Sequence, residues 1–102
     1  MDDEKIANCF AALGSGVRIS LFRALMEASS SGLGPTTLSD MIGIPRNLVS
    51  YHLSPLRACG LVISEKKGRD VFYRISQKGL VEFAISVQAL VMDRGANSKN
   101  AL

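Results

Sequence analysis

The sequence has no uninterrupted apolar run approaching the roughly 18 residues of a membrane-spanning helix, so no membrane partner is expected. Its first residues, Met1-Asp2-Asp3-Glu4-Lys5, are acidic where a secretory signal would be basic, which makes the cytoplasm the expected location. Cysteine is scarce: Cys9 and Cys59 stand alone, without CxxC or CxC spacing. They make no disulfide framework, and in a reducing compartment they rest as thiols. His52 is the one histidine. No Ser-His-Asp set, metal cluster or phosphate-binding loop can be assembled, so neither an enzyme nor a cofactor is expected. With 102 residues there is room for one domain and one thin core, and association with a second copy would help its stability.

What is present is ordinary in amount and uneven in placement. Apolar residues make up 47% and charged residues 21%, as in folded globular chains. The net charge is only +3, yet residues 46–78 hold seven basic side chains (Arg46, Arg57, Lys66, Lys67, Arg69, Arg74, Lys78) against two acids, Glu65 and Asp70. Residues 1–45 hold three basic and five acidic ones. Positive charge gathered in one half is the footprint of a nucleic-acid surface, provided it falls on elements able to reach a groove.

Hydrophobic periodicity supplies those elements. Ile6, Phe10 and Leu13 recur at helical spacing, predicting a helix over 3–13 that ends at Gly14. Ser15 is placed to cap a second helix with Val17, Leu21 and Leu25 in one stripe and Phe22 and Met26 beside it. Ser29-Ser30-Ser31-Gly32 reads as a surface loop. Pro35 suits the first turn of a short third helix, with Leu38, Met41 and Ile42 inward and Gly43 at its end. Ile44-Pro45 links to a helix over 46–59, its stripe Val49, Leu53 and Leu56, ending at Gly60. Two short helices around a glycine-containing turn form a helix-turn-helix. The runs 61–63 and 71–75 around Lys67-Gly68-Arg69-Asp70 read as a hairpin. Ser76 then caps a last helix with Leu80, Ala84, Val87 and Val91 in phase, flanked by Phe83 and Leu90. The expectation is a mostly α chain with a small β-hairpin, in the order ααααββα: a winged helix-turn-helix. It occupies 1–92, with 93–102 a polar, frayed tail.

The stretch LSDMIGIPRNLVSYHLSPLRACGLVISEKKGRDVFYRI, from Leu38 to Ile75, resembles the ArsR/SmtB family of winged helix-turn-helix repressors. VSYHLSPLRACGLV, Gly68-Arg69 and Phe72-Tyr73-Arg74 carry most of the similarity. Upstream, AALGSGVRISLFRAL is similar to the family's first-to-second-helix junction, with Arg18 at its usual arginine. The resemblance runs over roughly 6–91. It implies a homodimeric repressor that sits on a near-palindromic operator in double-stranded DNA and leaves it when an inducer, here unknown, binds. A reading of another class is a winged helix serving only as a protein-interaction or dimerisation module; the basic wing and Arg46-Asn47 favour DNA.

On that frame the reading head is 36–75. With Val49, Leu53 and Leu56 inward, Arg46, Asn47, Ser50, Tyr51 and Ser54 face outward. Arg46 suits guanine O6/N7 and Asn47 adenine N6/N7, each such contact worth about 1–3 kcal/mol of discrimination. Ser50 and Tyr51 suit phosphate or a thymine methyl. Thr36 and Thr37 open the third helix, where they cap it, bind a phosphate, or both. Lys66, Lys67 and Arg69 sit at the wing tip, reaching adjacent phosphates or keeping the turn soluble. His52 lies towards the inner edge of its helix as a satisfied core histidine, the structural role the family usually gives it. Pro55 removes a helical hydrogen bond at a cost of about 3 kcal/mol, which predicts a kink or an interruption near Ser54. Pro45 stands where the family often has a capping serine or threonine.

The dimer seam is expected from the first and last helices, burying Ile6, Phe10, Phe83, Val87 and Leu90 against the second copy, though some of these also serve the chain's own core. The metal sites usual in the family are missing. GLGPTTLSDM on the third helix lacks cysteine and histidine, and Glu82 and Asp93 on the last have no histidine partner, so no metal is expected. Cys9 and Cys59 are candidates for a thiol sensor, as ligands of a soft arsenite-like ion or as a redox disulfide. Otherwise Cys59 fills a small-residue position before Gly60 and Cys9 is a small buried hydrophobe.

Overall fold

A computed structural model describes residues 1–96 as five helices and one antiparallel hairpin. Helix α1 (Asp3–Ala12) starts at Asp2, whose carboxylate accepts the Lys5 amide at 2.8 Å, and Asp3 and Glu4 complement the positive end of its dipole. Helix α2 (Gly16–Glu27) is capped by Ser15 and bends away from α1 by 98°. Arg18 fixes that corner: its guanidinium donates back to the Ala12 carbonyl at the end of α1 and to the Ala11 carbonyl, which also accepts the Gly14 amide.

Helix α3 (Pro35–Ile42) ends at Gly43, whose φ of +79° closes it in the left-handed conformation. Its N-cap is Gly34 and no side chain caps it, so Thr36 and Thr37 lie inside the first turn instead of capping it. Met41, expected inward, is 53% exposed, and Leu38 alone on this helix is fully buried. A helix of eight residues turns one narrow face to its neighbours, and Ile42 takes the second place on it.

The recognition segment is not one helix over 46–59. Arg46–Leu48 form a 3₁₀ turn, and helix α4 (Val49–Ala58) follows. With Pro45 ahead of it and no capping side chain, the first turn satisfies itself through a tighter bond, Leu48 N–H to Pro45 carbonyl at 2.9 Å. Pro55 causes no interruption; α4 continues through it to Ala58. The carbonyl Pro55 leaves without a partner belongs to Tyr51, on the solvent face, while Leu53 and Leu56 pin the helix to the core on either side. Beyond Cys59, Gly60 (φ +87°) lets its own amide bond the Arg57 carbonyl and the Leu61 amide bond the Leu56 carbonyl, 3.1 and 3.0 Å. This is a Schellman closure, with buried Leu61 and Leu56 as its apolar pair.

Strands β1 (Val62–Lys67) and β2 (Asp70–Ile75) pair from Val62↔Ile75 to Lys67↔Asp70 around Gly68-Arg69. Gly68, at φ +66°, takes the first central position of the turn, as a type II′ hairpin requires. The segment read as a surface loop delivers one more pairing. Leu33 exchanges two backbone hydrogen bonds with Tyr73, 2.9 and 2.8 Å, on the outer edge of β2. A Cβ on Gly32 would lie 2.4 Å from the Tyr73 carbonyl, so the approach requires glycine.

Helix α5 (Gln77–Ala96) is capped by Ser76 through the Gly79 amide at 3.1 Å. It reaches Ala96, so the expected tail starts inside it; the remainder, 97–102, lies outside the described residues. Gly79 packs directly on the turn closing α4, where an added Cβ would stand 1.9 Å from the Gly60 carbonyl. The core gathers Leu21, Leu38, Val49, Leu53, Leu56 and Leu61 with Tyr73 and Ile75, and holds no buried charge among the described residues. Twenty residues make α5 about 30 Å long, longer than this core needs. Phe83 meets Phe10 of α1 edge-on at 5.3 Å, and α1 covers only part of the helix.

Candidate nucleic-acid interface

The start of α3, the 3₁₀ turn and the hairpin converge on one concavity of about 240 Å³. Thr36, Thr37, Arg46 and Arg69 line it together, with Asp70, Val71 and Phe72. Arg46 Nε donates to Thr36 Oγ1 at 2.8 Å, which holds the guanidinium towards the N-terminal end of α3. Open helical amides, two hydroxyls and two guanidinium groups around one hollow suit an anion of phosphate size, the Asp70 carboxylate being the opposing charge.

Asn47, Ser50, Tyr51 and Ser54 are exposed, Tyr51 by 68%, and none makes a side-chain hydrogen bond among the described residues. Ser50, Tyr51 and Ser54 occupy the face of α4 opposite the buried Val49, Leu53 and Leu56, because helical spacing separates the two sets. Leu48, exposed beside Asn47, was missed by sequence reasoning. An apolar side chain there suits a thymine methyl.

On the wing, Lys66, Lys67 and Arg69 are exposed, and the Lys67 ammonium stands 5.3 Å from the Phe72 ring centre, within cation–π range. Arg74 pairs with Glu65 across the hairpin, and the hydrogen bond and charge of its guanidinium hold the Glu65 carboxyl below the usual carboxylate range. The pair cancels its own charge, leaving the tip positive. Nothing in either residue alone signals it; it needs the register, in which Glu65 and Arg74 are diagonal neighbours.

His52 is half-buried, and its Nδ1 has no hydrogen-bond partner among the described residues, so it is not the satisfied core histidine expected. Its ring lies edge-on to Tyr51 at 5.2 Å, a packing contact that leaves the nitrogen unserved. Of the seam residues, Ile6 is only 8% exposed, buried within the single chain by the packing of α1 beside α5. Phe83 and Val87 are half-buried, while Phe10 and Leu90 are about half exposed. The outer side of α5 adds Val81, Ile85, Val91 and Met92, all more than half exposed. Cys9 is buried and Cys59 half-buried, both as free thiols. No cluster of three or more His, Cys, Asp or Glu side chains able to hold a metal occurs among the described residues. No single described helix is long and apolar enough to cross a membrane.

A helix-turn-helix followed by a two-stranded wing defines the class: a winged helix-turn-helix domain. No family model matches the chain. The HTH-type transcriptional repressor SmtB of Mycobacterium tuberculosis is 35% identical over 78 residues, 76% of this chain and 56% of that protein. The chain thus spans little more than half the length of this curated relative. An uncharacterized HTH-type transcriptional regulator of Methanocaldococcus jannaschii is 32% identical over 72 residues, covering 71% of this chain and 79% of that protein. An ArsR-like transcriptional regulator from Rhodococcus superimposes with a TM-score of 0.81 at 26% identity, over 96% of this chain and 90% of that one. The chain belongs to the ArsR/SmtB family of helix-turn-helix transcriptional regulators.

Proposed function

We propose that the chain is a sequence-specific DNA-binding transcriptional repressor of the ArsR type, acting in the cytoplasm as a homodimer on a near-palindromic operator. The observation that carries this reading is the convergence of the α3 start, the 3₁₀ turn leading into α4 and the basic wing on one hollow. Thr36, Thr37, Arg46 and Arg69 bind backbone phosphate; the tether from Arg46 to Thr36 moves this arginine from the base-reading set to the phosphate set. Asn47, Ser50, Tyr51 and Ser54 face the base edges, and Lys66 and Lys67 follow the flanking backbone. The chain has no catalytic role in this reading, and its relatives are named as regulators.

The apolar side of α5, continued by Phe10, supports the dimer. Pairing it with the same side of a second copy buries Val81, Ile85 and Met92, which helical spacing places in one stripe, and sets two recognition helices about 34 Å apart, one turn of DNA. Titration of the chain with its own upstream duplex and with random duplex, at several salt concentrations, tests the proposal. The expected result is tighter binding to one duplex, with affinity falling steeply as salt rises. Undetectable or salt-insensitive binding overturns it.

A further inference from the structure

Cys9 and Cys59 are 50 residues apart in sequence and meet where α1 crosses the end of α4. The Cys9 thiol donates to the Cys59 carbonyl at 3.5 Å, while the Cys59 thiol donates to the Leu56 carbonyl at 3.4 Å. The Cys59 carbonyl lies about 2.4 Å from its own Cα, so the Cys9 sulfur stands within about 6 Å of the Cys59 Cα, and the two thiols are close enough to act on one another. Their surroundings differ. Cys9 is sealed in the core, and burial, then the neighbouring Cys59 thiol, push it up to about 12. Cys59 lines two surface hollows, of about 560 and 390 Å³. Lys5, Lys78 and Glu82 stand around the larger one, which is wide enough to admit a small reagent beside the half-buried Cys59.

We propose that Cys9 and Cys59 form one dithiol modification site that a small hydroperoxide oxidises to an intramolecular disulfide joining α1 to the end of α4. The Cys59 sulfur, as thiolate, attacks the peroxide; the O–O bond breaks, Cys59 becomes a sulfenic acid, and the departing alkoxide or hydroxide takes up the thiol proton. The Cys9 sulfur then attacks the Cys59 sulfur; the S–O bond breaks, and hydroxide leaves with the Cys9 proton as water. Two thiols lose two electrons and two protons, and the hydroperoxide becomes an alcohol (water, from hydrogen peroxide) and water. The division of labour follows from access: the outer thiol meets the oxidant, and the inner one resolves an activated sulfur already beside it.

Forming the bond at about 2.05 Å obliges both thiols to abandon their carbonyl partners, which disturbs the turn closing α4. Resting on the DNA-binding reading above, this shifts the reading face of α4 and weakens duplex binding.

The test treats the full reduced chain with hydrogen peroxide, then counts thiols, measures intact mass without reductant and titrates duplex. Both thiols are expected to vanish together, with a mass loss of about 2 Da per chain reversed by dithiothreitol, and duplex affinity to fall about tenfold. Cys9→Ser is expected to stop at a Cys59 sulfenic acid trapped by dimedone, and Cys59→Ser, or Cys59→Ala should the serine misfold, to bind duplex equally well with or without peroxide. Retention of both thiols while glutathione in the same tube is oxidised overturns the proposal, as do disulfides formed only between chains or unchanged affinity of the oxidised chain. Failure of both reduced and oxidised chains to bind any duplex overturns the DNA reading, while the thiol count and mass still decide the dithiol.

Discussion

The side of the domain built from the α3 start, the 3₁₀ turn, α4 and the wing exposes hydroxyls, amides and cations; the outer side of α5 exposes Val81, Ile85, Val91 and Met92. Polar groups of the first kind are content in water, so their exposure costs nothing and leaves them free for phosphates and base edges. Apolar side chains of the second kind each forgo about 25 cal/mol per Å² until something covers them. The two sides therefore ask for partners in different terms, the first through charge and hydrogen-bond pattern, the second through area. They are joined where Gly79 of α5 packs on Gly60 at the end of α4, beside the place where Cys9 of α1 meets Cys59.

The largest effect is expected at that joint. Gly79→Ala drives a Cβ against the Gly60 carbonyl, so α5 must lift from the end of α4. A loss of about 3 kcal/mol, larger than the about 1 kcal/mol gained in helix propensity, is expected. Thermal unfolding would register it as a Tm lower by roughly 10–20 °C, and an unchanged Tm would show the joint to be slack. Next is the apolar side: Val81→Lys with Ile85→Lys is expected to yield monomers by sedimentation with unaltered circular dichroism. Their duplex affinity should drop about a hundredfold as the second half-site no longer assists. A dimer that persists would place the seam elsewhere.

Within the polar side, Asn47→Ala is expected to cost about 1–3 kcal/mol on the preferred duplex and little on random DNA. Arg46→Ala is expected to weaken both alike and reduce the salt slope by about 1. A base-specific loss at Arg46 would return it to the reading set. The smallest effect lies in the wing. Because Arg74 lowers the Glu65 carboxyl below its unfolded value, the pair contributes stability above the ordinary carboxylate range and loses it as pH falls through the lowered value. Glu65→Gln should flatten that acid limb slightly, since the pair is exposed to solvent. Urea unfolding across the acid range measures it.

Much of this was legible from local signals. Ser15 and Ser76 cap helices, Gly43 and Gly60 end them, Gly68 turns the hairpin, and Val49, Leu53 and Leu56 form the inner stripe of α4, as their spacing predicts. The misreadings share a cause. Met41 faces solvent because neighbouring elements leave α3 too little inner face for it; Leu33 joins the sheet through a pairing with Tyr73 that no periodicity reveals; and Pro55 stays helical because Leu53 and Leu56 hold it there. Arg46 was correctly placed at the surface, but its bond to Thr36 depends on the path of the turn between them.

By itself, then, the sequence determined what residues within a few positions of one another can settle: the element order, the caps, the turn glycines and the gathering of positive charge. Tertiary structure alone decided which distant groups share a place: Thr36 with Arg46 and Arg69, Gly79 with Gly60, Cys9 with Cys59. The physical reason is range. Helical periodicity, capping and turn geometry act over a handful of bonds and leave a signature in spacing. A hydrogen bond or steric contact between separate elements depends on the packing of the whole core and leaves none.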